Sequence, residues 1–207
     1  MTNHERELPQ GYEEVRRIDA TDKKTGIIMN VVAFLVMIAV ALIGLIPVFT
    51  GRLKFETGYL YPIIMCAAIV VLIPVYMVLH ELVHGVAYKA LTREKLTYGF
   101  SWSCAYCGVP NIYVYRGAAL IAVTLPLIVF TLVFLPLAIV FAYVNTYVYL
   151  GMIIMLATHI GGCVGDIYVT LLLLFRHRRH DLLVRDTGPE QIFYQSKIKK
   201  KKKKKKS

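Results

Sequence analysis

Residues 59–91 read YLYPIIMCAAIVVLIPVYMVLHELVHGVAYKAL, and two properties of this stretch set the reading of the whole chain. It is apolar over a length that, as a helix, measures about 50 Å at 1.5 Å per residue, more than a bilayer core of roughly 30 Å. Its C-terminal end is therefore expected to emerge on one side of a membrane, with Pro74 as a kink point. It also carries HELVH, His80 to His84. Histidines four apart stand one above the other on a helix face, so both rings reach one metal ion. Glu81 is turned by about 100° from His80, where a carboxylate serves as base for an activated water rather than as a ligand. Burying these three side chains among Val, Leu, Ile and Met costs free energy, and membrane segments seldom carry them without a use. The pattern points to a hydrolytic centre with Zn2+ as cofactor.

The rest of the chain suits that setting. Of 207 residues, 57% are hydrophobic and the mean hydropathy is +0.57, which excludes an ordinary water-soluble domain. Apolar runs of 18 or more residues mark membrane spans, and there are four: 27–50, 59–91, 117–144 and 147–175. The first is too long for a signal-peptide core and lacks a small-residue cleavage site, so it is read as a mature span. Arg6, Arg16, Arg17, Lys23 and Lys24 precede the first span. Lys89, Arg93, Lys95 and Arg116 flank the loop after the second, and the residues beyond Phe175 are strongly basic. The opposite loops hold only Arg52 and Lys54. This bias predicts a multi-pass cell-membrane protein with both termini cytoplasmic. The net charge of +11 is thereby a topology signal, and nucleic acid is not an expected partner.

The expected fold is an all-α membrane protein of four transmembrane helices, in three parts. Residues 1–26 form a cytoplasmic arm, 27–175 the transmembrane domain, and 176–207 a basic cytoplasmic tail. The tail ends in a disordered lysine run, Lys199–Lys206, suited to resting on anionic lipid. The loop TYGFSWSCAYCGVPNIYVYR, residues 97–116, reads as a short β-hairpin or as a re-entrant segment. An extended edge there would bind a substrate strand through its backbone; the alternative is an aromatic belt at the interface. Cys104 and Cys107 form a lone CxxC, read as structural because a second metal would need further ligands. His177 and His180 sit in the basic tail and are read as exposed.

A catalytic zinc takes three protein ligands, so HELVH needs a third. Asp166 is the one acidic residue in the first, third or fourth span. It lies 10 residues before Arg176, about 15 Å in from the cytoplasmic end of its helix. His84 lies nine residues before Arg93, at nearly the same depth. A small-residue stripe of Ala157, Gly161 and Gly165 beside Asp166 is expected to admit the second helix. His159 is the rival ligand, seven residues earlier on the same face and about 10 Å deeper; otherwise it is a buried partner of a ligand.

The chain resembles a family of membrane zincin metallopeptidases. The resemblance rests on LPQGY and VRRID before the first span, HELVHG, YGF and AYC in the following loop, Tyr115-Arg116 with Pro126 entering the third span, and Gly165-Asp166. It covers nearly the whole chain except the lysine tail. HExxH with a late Asp is also similar to the site-two-type intramembrane metalloproteases, although GGCVGDIY lacks their Asn/Pro/Asp-Gly signature. The resemblance implies His80, His84 and Asp166 as zinc ligands and Glu81 as the catalytic acid/base. The expected activity is hydrolysis of peptide bonds in a membrane-associated or small polypeptide. The alternative is a non-catalytic membrane metal-binding protein or sensor. A small transporter is disfavoured by the absence of an internal repeat.

Overall fold

The computed structural model describes residues 3–55 and 59–197. The lysine run lies outside the described residues. The helices are α1 (Lys23–Phe49), α2 (Leu60–Thr92), α3 (Arg116–Phe141), α4 (Thr146–Gly162) and α5 (Val164–Leu171), the last running into a π-helical turn at Leu172–Arg176. The strands are β1 (His4–Glu5), β2 (Tyr12–Asp19), β3 (Thr97–Phe100), β4 (Ala105–Gly108), β5 (Tyr113–Tyr115), β6 (Leu183–Asp186) and β7 (Glu190–Ser196).

Local chemistry sets the helix ends. Asp22 caps α1 by accepting from the Thr25 N–H at 2.9 Å, and Asn145 caps α4 by accepting from the Tyr147 and Val148 N–H groups. At the end of α2, Arg93 adopts a left-handed φ of 62° and its N–H bonds to Lys89 O at 3.0 Å. α1, α2 and α3 are each long and apolar enough to cross a membrane, and α4 with α5 passes the same test as a pair bent by 43°. In α1 only Gly26 and Gly44 are buried, and its Ile and Phe side chains are exposed along its length, which suits lipid rather than water.

The expectation of an all-α chain is corrected here, because the fold is mostly helical but carries two sheets. β1, β5, β6, β7 and β2 form one antiparallel sheet in that order; β5 comes from the central loop and the other four strands from residues 1–26 and 176–207, the expected arm and tail. Its register places Val114 against Val184 and Val184 against Phe193. All three are buried, and with Ala87, Tyr88, Ala119, Val169 and Leu173 they make a core that seats the sheet on the ends of α2, α3 and α5. β2 hid from the sequence because it is an edge strand whose outward side chains are Glu and Arg, with Ile18 alone buried. Charged edge strands are usual, since they discourage pairing with another chain. The loop hairpin is real: β3 pairs with β4, Tyr98 opposite Cys107.

The fourth span is broken at Cys163 rather than continuous. α1 packs along α4, and α2 packs against α3 and α4, while α1 and α2 form no substantial interface. The small-residue stripe is met by α1 at Gly161, where a Cβ would meet Ala33 O and the Met37 side chain, while Gly165 has nothing within 4 Å of where its Cβ would be. Gly162 is exposed, with nothing within 4 Å of where its Cβ would be.

Candidate metal centre

α2 places Tyr76, His80 and His84 on one face, and all three are buried. The break at Cys163 puts Asp166 in the first turn of α5, where the free N–H groups of a helix start favour a carboxylate. Asp166 Oδ2 lies 3.2 Å from His80 Nε2 and 3.4 Å from His84 Nε2. Three candidate ligand atoms, one from each residue, lie within 4.8 Å of one another. The structure thus brings together His80, His84 and Asp166, three residues singled out by motif and matched depth.

His84 is oriented by an unusual acceptor. Its Nδ1 lies 2.8 Å from Ala122 O; a carbonyl can only accept, so Nδ1 carries a proton, and in the neutral imidazole the lone pair is on Nε2, the atom facing Asp166. Ala122 O is open to this bond because the residue four positions on is Pro126, which has no N–H to give it. The proline that looks like a helix irregularity in the sequence is therefore part of the ligand support. On His80, Nδ1 meets the Tyr76 hydroxyl at 3.1 Å and Nε2 faces Asp166. The Nε2 atoms of both imidazoles and the Asp166 carboxylate thus converge, and either a shared proton or a cation between them satisfies the group. This donor set fits zinc.

Glu81 is half-buried beside this group, and the Cys107 backbone N–H approaches its carboxylate. The hairpin explains why. Ser101 N–H bonds to Cys104 O at 2.8 Å, and antiparallel alternation from that pair turns the N–H and C=O of Ala105 and Cys107 to the outer edge of β4. That edge lines a cavity of about 330 Å³ shared with His80, Glu81, His84 and Asp166. Met29 and Asn30 of α1 and Gln191 of β7 form other parts of its wall. Gly85, directly after HELVH, lets β3 come close, since a Cβ there would meet the Tyr98 hydroxyl and force it to shift.

His159 is fully buried and is not a member of the His80/His84/Asp166 group; it bonds to the Tyr76 hydroxyl and groups with His80 and Cys163. Cys104 and Cys107 are free thiols. Burial, then the Asp186 and Glu81 carboxylates, pushes the Cys107 thiol up to about 12, and neither cysteine falls in a candidate metal group among the described residues. His177 is buried against Phe193, ring centroids 5.5 Å apart, contrary to the exposed position read from its basic surroundings. Two groups in the cavity wall were missed in the sequence. Tyr76 carried a signal, since it continues the four-residue spacing of His80 and His84. Asp186, on β6, carried none because it lies in the presumed tail. It accepts from Tyr88 Oη at 2.5 Å, Gly188 N at 2.9 Å and Gln191 Nε2 at 3.2 Å. Burial raises its carboxyl to about 6 against the lowering effect of the Tyr88 and Gly188 bonds.

Residues 73–180 match the family model described as "Putative zincin peptidase". No curated protein and no solved structure matches the chain. The matched segment spans HELVH, the hairpin, α3, α4 and Asp166, and with over half its length matched the chain belongs to this zincin peptidase family.

Proposed function

We propose that the protein is a membrane-embedded zinc metallopeptidase in which His80, His84 and Asp166 hold the metal and Glu81 is the general base and acid. The observation that carries this reading is the approach of Asp166 Oδ2 to both Nε2 atoms, 3.2 and 3.4 Å, with Glu81 on the adjacent helix position. A zinc ion held there supplies Lewis-acid activation of water and of the scissile carbonyl. Glu81 accepts the proton of the attacking water and returns it to the leaving amine. The Cys107 N–H orients the Glu81 carboxylate, and the outward N–H and C=O of Ala105 align an extended substrate segment against β4.

Four spans, with the bent α4–α5 pair as the fourth, put both termini and the five-stranded sheet on the cytoplasmic side by the distribution of Lys and Arg. His84 is eight residues from the end of α2 at Thr92, so the site lies toward that leaflet and water reaches it readily. The cavity wall includes Asn30 and Ala33 of α1, Met77 of α2 and exposed Gly162, one turn before Asp166, and this side suits entry of a membrane-associated polypeptide.

The test is zinc content and cleavage of a peptide library by detergent-purified wild type, His80→Ala, Glu81→Gln and Asp166→Ala. About one zinc per chain is expected in wild type and Glu81→Gln and little in the other two. Cleavage should fall by roughly 10²–10⁴-fold in Glu81→Gln. Undiminished cleavage in that variant removes Glu81 from the mechanism, and full zinc in Asp166→Ala removes the third ligand. A closed, non-catalytic metal site is the rival reading, favoured by the grouping of His159 and Cys163 with His80 within 4.8 Å. It requires zinc in wild type with no cleavage of any peptide and loss of the metal in Cys163→Ser.

A further inference from the structure

Behind His80, away from the metal position, runs a line of hydrogen bonds that the proposed chemistry does not use. The Tyr76 hydroxyl lies 3.1 Å from His80 Nδ1 and 2.8 Å from His159 Nδ1. The other nitrogen of His159 lies 3.3 Å from Leu127 O and 3.1 Å from Thr131 Oγ1 of α3. His159 is 0% exposed, and the Tyr76 ring is packed edge-on against Phe130 and Phe134. Three helices thus meet at Tyr76 and His159: α2 and α4 through the tyrosine hydroxyl, α3 through His159 and the tyrosine ring.

The direction of the protons along this line follows from its far end. Leu127 O can only accept, so His159 Nε2 carries the proton, and a neutral imidazole then offers a bare Nδ1. That nitrogen takes the proton of the Tyr76 hydroxyl. The tyrosine oxygen is left to accept, from His80 Nδ1–H, with the Cys163 thiol as a further hydrogen-bond partner. His80 with its proton on Nδ1 has its lone pair on Nε2, the atom facing Asp166. Without His159, the Tyr76 hydroxyl is free to turn and donate to His80 Nδ1. His80 would then carry its proton on Nε2, donate it to Asp166 Oδ2 and close the site to metal.

We propose that Tyr76 and His159 are positioning residues that lock His80 in the tautomer able to bind the metal, an inference that rests on His80 being a metal ligand as proposed above. Second partners of this kind hold a ligating histidine in one tautomer and orientation. Cys163 is the competing explanation for His159, since its Sγ lies 3.5 Å from His159 Nδ1 and it groups with His80 and His159. The Tyr76 hydroxyl bonds both of those imidazoles, and an ion on these three would have to displace it.

The experiment measures the zinc affinity of the full-length protein in detergent by competition with a chromophoric chelator, with the visible absorption of bound cobalt(II) as a second readout. Tyr76→Phe keeps the ring packing and removes only the hydroxyl; it and His159→Leu should each weaken zinc by about 10- to 100-fold. The double variant should fall no further than the weaker single, because one chain is cut in either place. His159→Gln, which restores an acceptor to the Tyr76 hydroxyl, should recover much of the loss, and Cys163→Ser should bind as wild type. Wild-type affinity in Tyr76→Phe overturns the proposal. So does a His159→Gln variant as weak as His159→Leu, which would make the role one of packing, or a Cys163→Ser variant as weak as either, which would make Cys163 a ligand. Failure of the wild type itself to bind zinc or cobalt overturns the metal centre and this inference together.

Discussion

The face of α2 and the five-stranded sheet are built on opposite plans. On α2, the residues that matter, Tyr76, His80, Glu81 and His84, lie within nine positions, and helix geometry alone brings three of them to one side. In the sheet, every pairing joins segments far apart in the chain except β6 with β7; β2 and β7 meet across some 170 residues, Arg17 opposite Ile192. The sheet nevertheless reaches the site, because its core includes Tyr88 of α2 and its strand β6 contributes Asp186 to the cavity wall. The lesson is that the local plan supplies the chemistry and the non-local plan supplies its enclosure.

If the two plans are separable, damage to one should spare the other's local structure. The largest expected effect is on the sheet. Phe193 is 0% exposed at the centre of the shared core, and Phe193→Ala should destabilise that core by about 3–5 kcal/mol. Hydrogen exchange should show loss of protection in β5, β6 and β7 with the helical circular dichroism of α1–α3 retained. Simultaneous loss of helix signal would mean that the bundle depends on its sheet and would erase the distinction.

Asp186 tests the seam between the two. Its carboxyl is raised to about 6 in the fold, against roughly 4 in an unfolded chain. The folded state therefore holds the proton more tightly, and this contribution to stability is complete below about pH 4 and lost as pH rises through 6. Thermal unfolding in detergent should show wild type losing stability across that window while Asp186→Asn stays flatter. Parallel profiles would remove Asp186 from the seam.

The smallest effect is expected from Pro126→Ala. The alanine N–H would compete with His84 Nδ1–H for Ala122 O, but the oxygen has a second lone pair, so zinc affinity should fall severalfold, at most about tenfold. Chelator competition measures it. Unchanged affinity would show that His84 needs the carbonyl but not the missing helical donor.

Much of the bundle was legible because span length and apolar composition are properties of contiguous residues, and only the break at Cys163 departs from four continuous helices. The pairing of HELVH with Asp166 was legible for a different reason: an acid is so costly inside an apolar helix that its rarity singles it out. The sheet was not legible. β2, with its Glu and Arg side chains, looks like a solvated arm, and the apolar pieces of β6 and β7 are too short to stand out from the basic residues around them.

What the sequence by itself determined is the helix face that carries the two histidines, the glutamate beside them, and the depth at which an aspartate could join them. These follow from a fixed rise and rotation per residue. What only the tertiary structure decided is how each imidazole is held: His84 by a carbonyl of α3 left open by Pro126, His80 by a tyrosine bonded to a histidine of α4. The strand edge beside Glu81 and the buried Asp186 belong to the same class. Hydrogen bonds between distant segments depend on placement to a few tenths of an ångström, and no periodicity along the chain encodes that.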